Sequence, residues 1–321
     1  MFSVVSGSLY AADVDLWIDS SGSRERCYVS HGHSDHARRH VRIIATPQSA
    51  AICRSRLGGE IAYETYAYDE GFTMGEARLT LFPAGHVLGS SQLQIECERG
   101  RFVYTGDFKL GETLTCRPAE VRRCDLVLME CTFGRPQYTF PPREEVCAAL
   151  VDWARGALDA GQTPVVHAYA LGKAQEVMAI LGRAGLPLMA HGAIDKLARV
   201  YVEQGVALPP YARYEAGKTD GHVVVMPPGG NSAPILAKMT EPRTAIVSGW
   251  AMDSGARYRY GVDAAFPLSD HADFAALLRY VELAQPSKVL LHHGFKSFAH
   301  ELRRRGVEAE FLEEHAQLTL F

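Results

Sequence analysis

The sequence predicts an α/β protein, and three observations carry that expectation. The first third is a series of short runs rich in β-branched and aromatic residues and broken by Gly, Asp or Ser. From about Pro141 to Asp263, strand-like and helix-like segments alternate, which is the pattern of a parallel sheet with crossover helices. Beyond Asp263 the elements are short and mixed.

The early runs are DLWID, CYVS, RIIAT, RLTLFPAG, SSQLQIE and RFVYTGDF. CDLVLME at Cys124 to Glu130 suits a strand buried on both faces and ending in a carboxylate. In PPREEVCAALVDWARGALDAG, prolines precede an acidic first turn, Val146, Leu150, Trp153 and Leu158 recur at helical spacing, and Gly161 stops the helix. The series continues with TPVVHAY (strand), GKAQEVMAILGRAG (helix), LPLMAH (strand), IDKLARVYVEQG (helix), HVVVMPPGG (strand) and RTAIVSGWA (strand). It ends with HADFAALLRYVELA (helix), KVLLHHG (strand), SFAHELRRRG (helix) and EAEFLE (strand).

With 321 residues, 47% of them hydrophobic, the chain can bury a sizeable core in one large domain or two linked ones. A formal net charge of −4 provides no global basic field toward phosphates or an anionic membrane, so nucleic-acid binding would have to be local. The seven cysteines form no C-x-x-C pair and read as reduced thiols. No run approaches the length of a membrane span and the N-terminus lacks a signal-like apolar stretch, so the expected compartment is cytoplasmic, without a membrane partner.

The chemistry concentrates in YVSHGHSDHARRH, residues 28–40, which holds four histidines and an aspartate. A loop at a strand end can turn His31, His33, Asp35 and His36 toward one point, as a regular helix could not at this spacing. Imidazole and carboxylate together suit zinc, and manganese or iron where carboxylate and water complete the shell. Further isolated candidates sit at strand ends: His86 in PAGHVLGS, Asp107 in YTGDF, His271 in LSDHADF and His293 in LLHHGF. His292 and His293 are adjacent and should point to opposite faces of a strand, and His293, beside Gly294, is the preferred ligand. His40 reads as ordinary surface.

In this order the residues resemble a metallo-β-lactamase-fold nuclease of the β-CASP group, specifically the bacterial ligase-associated DNA exonucleases, relatives of the Artemis-type nucleases. Asp19 in LWIDS matches the first aspartate, HGHSDH the H-x-H-x-D-H signature, His86 the third motif and Asp107 the fourth. Glu130 in LMECTFG, His271 and His293 match the later acidic and histidine motifs. The resemblance implies an αββα sandwich made by residues 1–140 and 264–321, with a parallel-sheet β-CASP domain inserted at 141–263. It implies two divalent ions, zinc or manganese with iron as a third candidate. One would be held by His31, His33 and His86, the other by Asp35, His36 and His293, with Asp107 bridging. Asp19 would orient a ligand histidine. His271 would be the general acid and Glu130 its hydrogen-bonding partner.

Substrate contacts are expected from Lys173, which opens a helix after Gly172, and from Asn231 and Ser232 in PPGGNS. Arg257 and Arg259 in GARYRYG, interleaved with tyrosines, suit backbone neutralisation and base stacking. The leading expectation is a metal-dependent DNA exonuclease in repair, working 5′ to 3′ on single-stranded or frayed ends, in functional association with an ATP-dependent DNA ligase and a helicase. The alternatives are an RNA-processing nuclease of the same group and a catalytically dead nucleic-acid-binding paralogue. A small-molecule metallohydrolase is disfavoured by an insert of roughly 120 residues.

Overall fold

The computed structural model describes residues 2–5, 8–229 and 233–312. The chain divides into two compact units, the first made of Met1–Glu112, Cys116–Pro136 and His271–Phe321, the second of Thr113–Thr115 and Gln137–Asp270.

The first unit holds two sheets. One has six strands in the order Phe2–Val5, Ser8–Ala11, Leu16–Ile18, Arg26–Tyr28, Arg42–Ala45 and Ala62–Thr65. The other has seven, in the order Glu308–Phe311, Lys288–Gly294, Leu126–Cys131, Gly100–Tyr104, Ser91–Cys97, Ala77–Pro83 and Gly71–Met74. Side-chain alternation explains the layers. Leu126, Leu128 and Leu290 join Ile18, Tyr28 and Ile44 in a core shared by the two sheets. Val127, Met129, Val289 and Leu291, one residue out of phase, pack instead with Leu277, Tyr280, Phe298 and Leu302 of the helices Phe274–Ala284 and Ser297–Arg304. On the far side of the six-stranded sheet, Cys27, Ile43 and Ala45 pack with Cys53 and Leu57 of a helix at Pro47–Leu57. The layers are therefore helix, sheet, sheet, helix.

The Pro47–Leu57 helix was not anticipated, because its apolar residues show almost no helical periodicity. Its start is nonetheless well specified: Thr46 Oγ1 accepts from Ser49 N at 3.1 Å, and a proline occupies the first turn.

The second unit carries a six-stranded sheet, Ala212–Arg213, Leu188–Ala190, Val223–Met226, Thr163–His167, Pro242–Val247 and Ala264–Phe266, with every pair parallel. Val166, Val225 and Val247 pack with Leu150, Val177 and Ala198 from the helices Arg143–Asp159, Lys173–Arg183 and Gly192–Glu203. Burial on both faces is what the continuous apolar runs anticipate. Among the described residues no helix is long and apolar enough to cross a membrane.

Candidate metal centre

In the first unit, one end of the sandwich gathers the predicted imidazoles. Asp19 follows the Leu16–Ile18 strand in the left-handed region, at φ 42°. From there its carboxylate organises the histidine loop. Oδ1 accepts from Ser30 N at 2.7 Å, and Oδ2 accepts from Ser30 Oγ at 2.5 Å and Tyr104 OH at 2.7 Å. His36 Nδ1 also bonds Oδ2, at 2.7 Å, which leaves Nε2 as the ring's ligating nitrogen. Gly106, immediately before Asp107, has φ 55°, and a Cβ there would lie 2.8 Å from the Ser30 side chain, so only glycine lets these two loops approach so closely.

His31, His33, His86 and Asp107 each place one donor atom so that all four lie within 4.8 Å of one another, and His36, Asp107 and His293 do the same. His33 Nδ1 is 3.0 Å from both His31 Nε2 and His86 Nε2. Asp107 Oδ2 stands 3.6 Å from His31 Nε2, 3.8 Å from His86 Nε2 and 3.3 Å from His36 Nε2, and so faces both groups. Donors around a tetrahedral zinc at about 2.0–2.1 Å are roughly 3.4 Å apart, close to these spacings. Asp107 Oδ1 is buried without a hydrogen-bond partner among the described residues. Convergent imidazole nitrogens facing a carboxylate with an unsatisfied oxygen fit divalent cations, which would be held by His31, His33 and His86 on one side and His36 and His293 on the other, with Asp107 shared.

Charge follows position. Burial holds the His31 pKa well below the ordinary histidine value, helped by the neighbouring His36 and His86. Burial opposes charge on His36 too, but the Asp107 and Asp19 carboxylates overcome it and raise its pKa well above that value. Burial alone would raise the Asp107 carboxyl, yet His36 and His271 hold it well below the usual carboxylate range.

Asp35 is at the rim. Its side chain is 68% exposed and its carboxylate is 3.9 Å from His36 Nε2, outside the two donor groups. The expectation that His292 and His293 face opposite ways is corrected. Their rings are 4.6 Å apart and both line one cavity, because His293 adopts φ 47° where the pairing of this strand with Leu126–Cys131 shifts register. His40 is also corrected: it is 3% exposed, and its Nδ1 accepts from Arg24 N at 3.2 Å.

His271 Nδ1 is 2.9 Å from Glu130 Oε1, and the His271 ring lies 4.6 Å from that of His86. Fully buried Glu130 is itself fixed, accepting from Phe108 N at 2.9 Å through Oε1 and from the Thr132 hydroxyl through Oε2. Asp273 Oδ1 caps the following helix through Ala276 N at 2.7 Å, which fixes the turn that carries His271.

The candidate phosphate contacts fare differently. Lys173 is corrected. It is 2% exposed, and its ammonium donates to Leu268 O at 2.8 Å and pairs with Asp270 at 3.0 Å, so it is an internal strut of the second unit. Arg259 pairs with Asp253 at 2.8 Å, whereas Arg257 is exposed and the adjacent Tyr258 is 95% exposed. Asn231 and Ser232 lie outside the described residues. Tyr104 and Ser30 were missed, with nothing local to mark them, and His292 was read from the HH doublet only as the alternative to His293.

No family model matches the chain. A "Probable DNA ligase" of Opitutus terrae is 41% identical over 318 residues, 98% of this chain but 31% of that protein. An "RNase J-like protein" of Methanocaldococcus jannaschii is 23% identical over 277 residues, 71% of this chain and 66% of that protein. The chain thus spans about a third of the first relative and just under two thirds of the second. A crystal structure of a protein of unknown function from Enterococcus faecalis V583 superposes with TM-score 0.57 at 16% identity, covering 90% of this chain and 79% of that one. A four-layer sandwich with histidines and aspartates gathered at one end defines the metallo-β-lactamase class of fold. Within that class, these relatives support a place in the β-CASP family.

Proposed function

We propose that the chain is a binuclear-metal phosphodiesterase that hydrolyses DNA from strand ends. The observation that carries this reading is the placement of His271, held through Nδ1 by buried Glu130, beside an imidazole of the donor cluster. A metal centre alone would serve many hydrolyses, whereas a positioned acid at its edge serves a reaction whose leaving oxygen needs a proton. Divalent ions in the centre supply charge neutralisation for a phosphodiester and an activated water. Asp19, bonded to His36 Nδ1, holds that ring in the tautomer with an unprotonated Nε2 turned inward, whereas Glu130, bonded to His271 Nδ1, supports the doubly protonated ring, which carries a second proton on Nε2. His271 then delivers its Nε2 proton to the leaving oxygen.

We read the second unit as the domain inserted into the sandwich, and Arg257 as a contact to the nucleic-acid backbone. Support for DNA comes from the Opitutus relative, which aligns with almost this whole chain and is named as a ligase. The same relative motivates a functional association with an ATP-dependent ligase. A second reading, RNA processing, is favoured by the RNase J-like relative.

Digestion of matched DNA and RNA strands labelled at one end, with zinc or manganese, tests both. The proposal expects DNA to be shortened from its 5′ end by single nucleotides. Preferential loss of RNA would replace it with the second reading, and no cleavage of either strand would overturn both.

A further inference from the structure

A cavity of about 260 Å³ in the first unit opens beside the candidate metal centre, on the His36 and His293 side. Two surfaces of different character meet in it. Leu9 and Val4, cross-strand partners in the N-terminal hairpin, supply an apolar wall together with Phe311 and Leu312 from the far edge of the other sheet. Ser8, Ser21 and His292 add polar groups. His292 is 7% exposed, and its Nε2 has no hydrogen-bond partner among the described residues. A buried imidazole nitrogen left unsatisfied costs stability unless something else satisfies it, so this one calls for a ligand with a polar edge.

We propose that this cavity receives the nucleoside of the terminal nucleotide, with its base against Leu9 and Phe311 and its polar edge toward His292. The inference rests on the nuclease reading and narrows it. The volume falls just below the usual range of ligand pockets, about 300 Å³ upward, which suits one nucleoside and not a length of strand. An apolar wall opposite a few polar groups matches a heteroaromatic ring, which stacks on its faces and hydrogen-bonds at its edges. Because Asp35, His36 and His293 line the same cavity, a 5′-terminal nucleoside seated there would carry its 3′ phosphate, the one to be cleaved, to the metal centre. Such a seat accepts a strand end, and so gives a physical basis for exonucleolytic rather than internal cleavage.

The test compares two phosphate monoesters on the manganese-loaded protein, thymidine 3′-monophosphate and methyl phosphate, by titration calorimetry. Both present a phosphate monoester and only one carries a nucleoside. The proposal expects the nucleotide to bind at least about tenfold more tightly, the scale of one well-filled pocket. It further expects Val4→Trp, which fills the cavity from the hairpin, and His292→Leu to reduce that ratio toward one without weakening methyl phosphate. Equal affinities in the unaltered protein would overturn the inference whatever the variants do. A preserved ratio in both variants, each checked for an unchanged circular dichroism spectrum, would also overturn it. If the affinities differ as expected but no strand is digested, the seat stands as a nucleotide site and the catalytic reading is what fails.

Discussion

His36 and His271 are held by the same device and face different tasks. Each offers Nδ1 to a carboxylate, Asp19 at 2.7 Å and Glu130 at 2.9 Å. Each carboxylate is fixed in turn by a backbone amide and a hydroxyl, from Ser30 for Asp19 and from Phe108 and Thr132 for Glu130. The difference lies at the other ring nitrogen. The His36 side chain is 1% exposed and its Nε2 faces Asp107 within the donor cluster, whereas the His271 side chain is 21% exposed. On the proposed reading, a carboxylate–histidine pair specifies an orientation, and the surroundings of the other ring nitrogen decide between ligand and acid.

That distinction can be broken by experiment. The largest effect is expected from Asp107→Ala, which removes a carboxylate shared by both donor groups. Metal content by elemental analysis should fall, and turnover should drop by more than about ten-thousandfold. His271→Ala should keep its metal and lose roughly a hundred- to ten-thousandfold in turnover. Metal loss in that variant would move His271 from acid to ligand. Asp19→Asn and Glu130→Gln then form a crossed pair, each expected to cost about ten- to a hundredfold, but in different quantities. The Asp19 change should weaken metal affinity, read by competition with a chelator. The Glu130 change should lower turnover at saturating metal. If both variants lose the same quantity, the two pairs do one job.

How much of this was legible depended on distance along the chain. The candidate ligands His31, His33 and His36 could be read because one strand-end loop supplies them at short spacing. His86, Asp107 and His293 each follow an apolar run, so a strand end could be inferred for each, whereas His271 was placed by the turn that leads into a predicted helix. Lys173 misled because a lysine opening a helix looks exposed, and what buries it, Leu268 and Asp270, returns only after five further strands. The strand alternation assumed for His292 and His293 failed at a left-handed residue. Gly294 permits that turn: it has φ 135°, and a Cβ there would lie 1.9 Å from Cys131 O, but neighbouring strands and their register are not visible in a local run. Tyr104 had no signal at all, since an aromatic residue ending an apolar run reads as core, and only the fold turns its hydroxyl toward Asp19.

Tyr104→Phe is accordingly the finest probe of the comparison and carries the smallest expected effect. Its hydroxyl donates to Asp19 Oδ2 at 2.7 Å from a fully buried position, and no corresponding tyrosine bonds Glu130 among the described residues. Phenylalanine keeps the ring and removes one of the bonds that hold this carboxylate, leaving Ser30 N, Ser30 Oγ and His36 in place. A hydrogen bond to a charged group is worth about 1.5–3 kcal/mol, and the bonds that remain should keep the loss near the lower figure in urea denaturation. Because Asp19 reaches the metal centre through the orientation of His36 and, by way of Ser30 Oγ, of His31, metal affinity should fall by about threefold to tenfold, while turnover at saturating metal stays within about twofold. A large fall in turnover with metal affinity intact would place Tyr104 and Asp19 on the same footing as Glu130, and the division between a ligand-holding and an acid-holding carboxylate would have to be abandoned.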